Sequence, residues 1–229
     1  MPPLSRQLDL FFTGQLQQVI RDRFPATYTL YAGGDDLFLI GPWRKTIDLA
    51  VAMNDAFRAY TGHNPNVHLS AAVELFKPHE PLRRVVERVE ARLEAAKEEG
   101  RDRLALFGEV PLWSEVGNLL HQGEQLAGWI REARESGGRQ AGSSVAMVYR
   151  LFELRDMARR VRASDPRLKM SDHAWRSALT YAIARNLMHE GKAKNGGELA
   201  FYERLRGDGG EALDAITIPL HLALYASRG

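Results

Sequence analysis

Apolar residues recur at helical spacing from Leu8 to Ile20, at Leu8, Phe11, Phe12, Leu16, Val19 and Ile20, and Pro25 closes the segment. This predicts a first helix. Thr27 to Ala32 is rich in β-branched and aromatic residues, Gly33, Gly34, Asp35 and Asp36 follow, and Leu37 to Ile40 runs apolar up to Gly41 and Pro42. That pattern predicts a β-hairpin whose second strand is buried on both faces. Arg44 to Tyr60 reads as a helix with Ile47, Ala50, Val51, Phe57 and Tyr60 inward, stopped by Gly62 and Pro65. From Val67 to Leu75 the period is two, with Val67, Leu69, Ala71, Val73 and Leu75 on one face and His68, Ser70, Ala72 and Glu74 on the other. A strand with one face on helices follows from it. Pro81 opens the most regular helix, with Leu82, Val85, Val86, Val89, Leu93 and Ala96 on one stripe and Gly100 at its end. Arg103 to Phe107 predicts a last strand.

Beyond Pro111 the strand signals disappear, and helices are expected near 112–135, 144–163, 171–190, 197–206 and 211–227. Two domains follow, 1–110 mixed and 111–229 all-helical. Ser136 to Ser144 reads as a mobile Gly/Ser-rich loop, Ser171 as a helix N-cap and Pro219 as a kink in the last helix.

The 229 residues are 45% hydrophobic, enough for a substantial core, and contain no cysteine. A disulfide framework, a thiolate zinc site and a cysteine nucleophile are thereby excluded. No apolar run approaches the ~20 residues of a membrane span, and the N-terminus lacks the order of a signal peptide. A soluble cytoplasmic protein without membrane association is expected. Residues 1–110 carry 14 Lys+Arg against 15 Asp+Glu, and residues 111–229 carry 17 against 14, so the second half is slightly basic.

The sharpest chemical feature is the tip Gly33-Gly34-Asp35-Asp36. Adjacent strand residues point to opposite faces, so both carboxylates reach one divalent ion only if the backbone bends, and the glycines permit that. Paired hard oxygens suit Mg²⁺ or Mn²⁺ that keeps waters and substrate phosphates, the geometry of phosphoryl transfer. The same residues also make a solvated tight turn.

The wider string Tyr31 to Trp43, YAGGDDLFLIGPW, resembles the second palm of the large subunit of type III-A CRISPR effector (Csm) complexes, within the nucleotide-cyclase and polymerase palm family. SRQLDLFF (Ser5 to Phe12), TGHNPNVHLSAAVELFKP (Thr61 to Pro78), AAKEEGRDRLALF (Ala95 to Phe107) and YAIARN (Tyr181 to Asn186) agree in order and spacing. The resemblance implies an α+β chain: a ferredoxin-like palm lacking its first strand, then an all-α domain.

It further implies synthesis of 3'-5' linked cyclic oligoadenylate from ATP on target-RNA binding, in antiviral defence. Asp35 and Asp36 would be catalytic metal ligands, Gly33 and Gly34 would pass close to the nucleotide, and Lys97 resembles the lysine that contacts triphosphate in related cyclases. Arg101 and Ser70 are further candidates. Lys97 is equally a cation complementing a helix C-terminus, and Ser70 equally a small polar residue on a half-exposed strand.

In that family the strand before this match is central in the palm, and its absence leaves two strand edges without their shared partner. The resemblance thus implies a C-terminal fragment or half of a split subunit, inactive alone, with the HD nuclease and first palm elsewhere. Implied partners are the remaining N-terminal part of the large subunit, the small and backbone subunits, and guide and target RNA. A catalytically inert scaffold of the ribonucleoprotein fits the same fold.

In the helical half, Arg150, Arg155, Arg159, Arg160, Arg162, Arg167, Lys169 and Arg176 crowd into one stretch with few acids. This reads as a solvated helix face or an RNA-docking surface. Trp113, Trp129 and Trp175 sit in helical patterns as core residues, and no His pairing of zinc-site type is present.

Overall fold

The first predicted helix forms, but in two pieces. Leu4–Leu10 (α1) and Leu16–Arg23 (α2) flank a π turn over Phe11–Gln15. The reason lies in the paired phenylalanines: Phe11, Phe12, Leu16 and Ile20 are all buried, and a wider turn lets two adjacent side chains enter one core. Phe11 meets Phe12 edge-on with centroids 5.2 Å apart and Phe57 at 5.3 Å.

The structure is a computed structural model describing residues 4–33, 36–137, 139, 141–207 and 210–228. Gly34 and Asp35 lie outside the described residues. The chain divides into two units, Met1–Val116 and Gly117–Gly229.

In the first unit, β1 (Tyr28–Gly33) pairs antiparallel with β2 (Asp36–Ile40), Gly33 opposite Asp36, with an irregular register between Thr29 and Tyr31. The helix α3 (Trp43–Tyr60) buries Ile47, Leu49, Ala50, Ala52, Asn54 and Phe57. Next, β3 (Ala71–Val73) pairs in parallel with β4 (Leu104–Leu106) across α4 (Leu82–Glu98). Two expectations change. The strand expected over Val67 to Leu75 pairs only at Ala71–Val73, and β2 is half-exposed rather than buried on both faces. Both follow from one fact: among the described residues β1–β2 and β3–β4 are separate two-stranded sheets, so β2 and β3 each have a single strand neighbour there. Trp113, which opens α5 (Trp113–Glu135), is buried and donates its Nε1–H to the Leu69 carbonyl at 2.7 Å.

The second unit is built on α6 (Val145–Ala163), α7 (Trp175–Leu187), α8 (Gly196–Arg204), α9 (Glu211–Ala215) and α10 (Thr217–Ala226). Leu151, Leu154, Leu179, Leu187, Tyr202 and Leu220 are among its fully buried residues. Trp175 is buried there, and Trp129 packs on Phe201 with centroids 5.6 Å apart.

Several local expectations are corrected. The helix expected over 171–190 ends at Leu187, and a short hairpin, β5 (Met188–His189) and β6 (Lys192–Ala193), follows. Glu190 and Gly191 turn it, both at positive φ (49° and 77°), so the unit is not purely helical. Ser171 is not an N-cap but lies inside a 3₁₀ turn, Met170–Ala174, where the Asp172 carboxylate accepts the Lys169 N–H at 2.9 Å. The segment 211–227 breaks at Ile216, and Pro219 falls in the first turn of α10, where its missing N–H is tolerated, so it causes no kink.

The Gly/Ser-rich stretch also differs from a mobile loop at its C-terminal end, where Ala141 and Ser143 are fully buried. A Cβ on Gly142 would stand 2.0 Å from the Asn186 carbonyl oxygen, so only glycine fits. The buried Glu198 carboxylate accepts N–H groups from Gly142 and Ser143 at 2.9 and 2.6 Å. No helix among the described residues is long and apolar enough to cross a membrane.

Candidate functional site

The first unit contains an open cleft of about 790 Å³. The whole of β2, from Asp36 to Ile40, forms one wall, and residues Leu69 to Glu74 around β3 form the other. Its floor is apolar: Leu49, Ala50 and Met53 of α3, and Val85, Val86, Val89 and Leu93 of α4. The polar groups are few, and they include Asp36, Ser70, Glu90, Glu94 and Lys97.

Of the residues singled out from the sequence, Asp36, Ser70 and Lys97 all line this cleft, although the chain separates them widely. Asp36 is exposed at the first position of β2. Gly33 ends β1 beneath the Tyr31 ring, and a Cβ there would lie 2.9 Å from the Tyr31 hydroxyl. Lys97 stands in the last turn of α4, and its Nζ donates to Glu94 Oε1 at 2.7 Å. Arg101 does not line the cleft. It sits exposed in the turn after α4 at φ 63°, its N–H bonded to the Ala96 carbonyl at 3.1 Å.

Glu90 and Glu94 are cleft residues that the sequence reading missed. They lie four apart on α4, beside the Val86, Val89 and Leu93 positions that face the cleft. That spacing was the available signal, but an amphipathic stripe does not tell which of its flanks meets solvent.

Arg88 ties the far end of the wall to α4. It donates to Glu74 at 3.2 Å and also to Glu80. The guanidinium's hydrogen bond holds the Glu80 carboxyl below its ordinary range, and Arg88 is itself raised by Glu80.

Among the described residues no group of three His, Asp or Glu side chains is arranged to hold a metal ion. Mg²⁺ or Mn²⁺ bound through one or two carboxylates, with waters and phosphate oxygens for the rest, fits a cleft whose rim offers Asp36 and Glu90. A closed all-protein cage does not.

The basic stretch of the second unit is largely paired internally. Arg160 clamps Asp172 through two bonds of 2.8 Å, Arg159 and Arg162 both engage Asp214, and Arg155 donates to Thr217 at 3.0 Å. Arg150 pairs with Glu153 at 2.7 Å, Arg167 with Asp165 at 2.9 Å, and Arg176 lies over the Trp175 ring at 5.0 Å. Most of this charge builds the helical unit.

Comparison with known proteins gives a consistent relationship. A family model described as Cas10/Cmr2, second palm domain, matches residues 1–105. The chain is 28% identical over 205 residues to the CRISPR system single-strand-specific deoxyribonuclease Cas10/Csm1 (subtype III-A) of Thermococcus onnurineus, covering 80% of this chain and 25% of that protein. The Enterococcus italicus protein of the same description is 24% identical over 189 residues, covering 82% and 22%. The chain thus spans about a quarter of the length of these relatives. Among solved structures, T. onnurineus Csm1 matches with a TM-score of 0.69 at 23% identity, over 98% of this chain and 34% of that one. A Csm1–Csm4 cassette in complex with AMPPNP matches with a TM-score of 0.66 at 24% identity, over 98% and 32%. The fold is therefore an α+β palm followed by a helical region, and the chain is similar to subtype III-A Cas10/Csm1 proteins, its residues 1–105 matching the Cas10/Cmr2 second palm domain.

Proposed function

We propose that this chain is the nucleotide-handling palm of a type III-A CRISPR effector large subunit, joining ATP molecules into 3'-5' linked cyclic oligoadenylate in antiviral defence once target RNA is bound. Residues 1–110 form the palm and residues 111–229 the helical docking part. The observation that carries the reading is the meeting of Asp36, Ser70 and Lys97 on one cleft. Related Csm1–Csm4 cassettes have been solved in complex with one ATP, pppApA, pppApApA, cA3 and cA4, a series that reads as substrate, linear intermediates and rings.

In this reading the 3'-hydroxyl of one ATP attacks the α-phosphorus of the next. The new O–P bond forms, the bond to pyrophosphate breaks, and the hydroxyl proton passes to solvent water. Asp35 and Asp36 would hold Mg²⁺ or Mn²⁺, which when bound would supply charge neutralisation on the phosphates and a lowered hydroxyl pKa. Lys97 steers the triphosphate once it leaves Glu94, and Ser70 lies on the opposite wall to accept or donate a hydrogen bond. Gly33 and Gly34 would pass close to the nucleotide.

The partners are the remaining N-terminal part of the large subunit, the small and backbone subunits, and guide and target RNA, all in the cytoplasm. Asp35→Ala/Asp36→Ala in the reassembled effector complex tests the assignment. Oligoadenylate yield is expected to fall at least 100-fold with RNA binding intact. An unchanged yield would make the chain an inert scaffold.

A further inference from the structure

A second concavity of the first unit, of about 190 Å³, opens beside the C-terminal part of α3. Its polar lining includes Asn54 and Arg58 of α3, His63 and His68 of the segment leading into β3, and Asp102 of the turn after α4, while Val67 and Leu69 give it apolar walls. Among the described residues only Leu69 lines both this concavity and the cleft that carries Asp36, so the two are neighbours and not one site.

Asn54 is only 6% exposed, and its Oδ1 is buried without a hydrogen-bond partner among the described residues. A buried acceptor in that condition demands a donor. The charges at the rim make no such demand. Arg58 Nη2 donates to both Asp102 carboxylate oxygens at 3.1 Å, and His68 Nδ1 stands 3.9 Å from the same carboxylate. An anion would turn lone pairs on Asn54 Oδ1, a cation would meet Arg58, and a purely apolar ligand would leave the acceptor unpaired. What fits is a neutral group with an N–H or O–H at its inner end. An apolar cavity of about 150 Å³ accepts a benzene ring, so the space here suits one ring system. Every RNA base is a neutral ring carrying an N–H on its pairing edge, and imidazole and guanidinium planes such as those of His63, His68 and Arg58 are the groups on which unstacked bases settle. A phenol would satisfy Oδ1 but has no use for two imidazoles.

We propose that this concavity binds a single unstacked nucleobase, whose N–H donates to Asn54 Oδ1 and whose ring lies between the Val67 and Leu69 walls and the rim of His63, His68 and Arg58. Two of the lining residues, His63 and Asp102, hold left-handed backbone at φ 57° and 54°, a conformation that residues with side chains keep only where their surroundings fix it. The rim is therefore set before a base arrives. The site is independent of the chemistry proposed for Asp36. A free nucleotide and a base in an RNA strand present the same group to Asn54.

Fluorescein-labelled pentaribonucleotides of A, C and U, with a base-free ribose-phosphate pentamer as control, are titrated against the full-length chain and read by anisotropy. At least one of the three should bind about tenfold more tightly than the base-free backbone, and it should slow amide exchange of residues 63–69. Asn54→Leu, close in volume, removes the acceptor. It should abolish the preference for a base while the melting temperature stays equal or rises, because no buried oxygen is then left unpaired. Val67→Phe, which fills the space, should abolish it too and serves if the leucine variant misfolds. Absence of binding by all three, equal binding of the base-free pentamer, a preference that survives both variants, or slowed exchange at 36–40 instead of 63–69 overturns the proposal. With base binding established, competition by the matching nucleoside monophosphate at the pentamer's own affinity supports the site as one for free nucleotides, and failure to compete supports it as one for a base within a strand.

Discussion

Lys97 Nζ lies 2.7 Å from Glu94 Oε1, one turn away on α4, and both side chains border the cleft that Asp36 also lines. The pair sets the state of the one lysine assigned to triphosphate. An exposed pair of this kind is weak and readily exchanged for a more highly charged partner. Lys97→Met in the reassembled complex is expected to weaken ATP binding about tenfold, the size of one charge-assisted contact, and Glu94→Gln to leave it equal or tighter. Titration with a fluorescent ATP analogue checks both. If Lys97→Met changes only the melting temperature, the lysine serves the helix C-terminus instead.

Arg88 predicts an acid-dependent stability in the first unit. Its hydrogen bond holds Glu80 below its ordinary value of 4.5, so the folded form favours the carboxylate. The contribution is present above that value and is lost as pH falls through the lower folded value. Arg88→Met should lower the melting temperature by a few degrees at pH 7, and the gap from the parent should close on acidification below pH 4.5. A gap independent of pH would assign Arg88 a packing role only.

Arg160 and Asp172 make the corresponding prediction for the second unit. Two hydrogen bonds from Arg160, then the Lys169 N–H, hold the Asp172 carboxyl far below its usual range. Its stabilisation is complete above the ordinary value of 3.8 and disappears as pH falls well below it. Asp172→Asn should lower the melting temperature at pH 7 and flatten the acid limb of the stability profile, read by thermal denaturation from pH 2 to 7.

Asp214 bears on the basic stretch. Because Arg159 and Arg162 both engage it, Asp214→Asn should destabilise the helical unit while leaving nearly unchanged the salt dependence of RNA binding by the effector complex proposed above. A steepened salt dependence in filter binding would show that the released arginines reach phosphate.

Tyr202 and Ser143 share a 2.7 Å hydrogen bond between two fully buried side chains, and burial pushes the Tyr202 hydroxyl above its usual pKa. Tyr202→Phe strands the Ser143 hydroxyl and should cost about 1–3 kcal/mol in urea denaturation. Gly142→Ala, which drives a methyl into the Asn186 carbonyl, should cost as much or more.

The hairpin was legible because Gly33 to Asp36 interrupts two strand-forming runs, and α4 because its apolar stripe repeats without a break. The first helix was legible as a helix but not as a π turn, since nothing local says that Phe11 and Phe12 must both be buried. At Ile216 the chain breaks where the sequence marks Pro219, because tertiary packing chose the first turn of α10 for the proline.

The sequence by itself determined the order of the elements, the absence of thiol chemistry and the acidic tip. Backbone geometry imposes its periods over a few residues, and those periods are written directly in the order of apolar and polar side chains. Only the tertiary structure decided that Asp36, Ser70, Glu90 and Lys97 border one cleft, that Arg101 does not, and that Arg159 and Arg162 turn to Asp214. Convergence of distant residues depends on how helices and strands pack, and packing is a property of whole faces that no local pattern encodes.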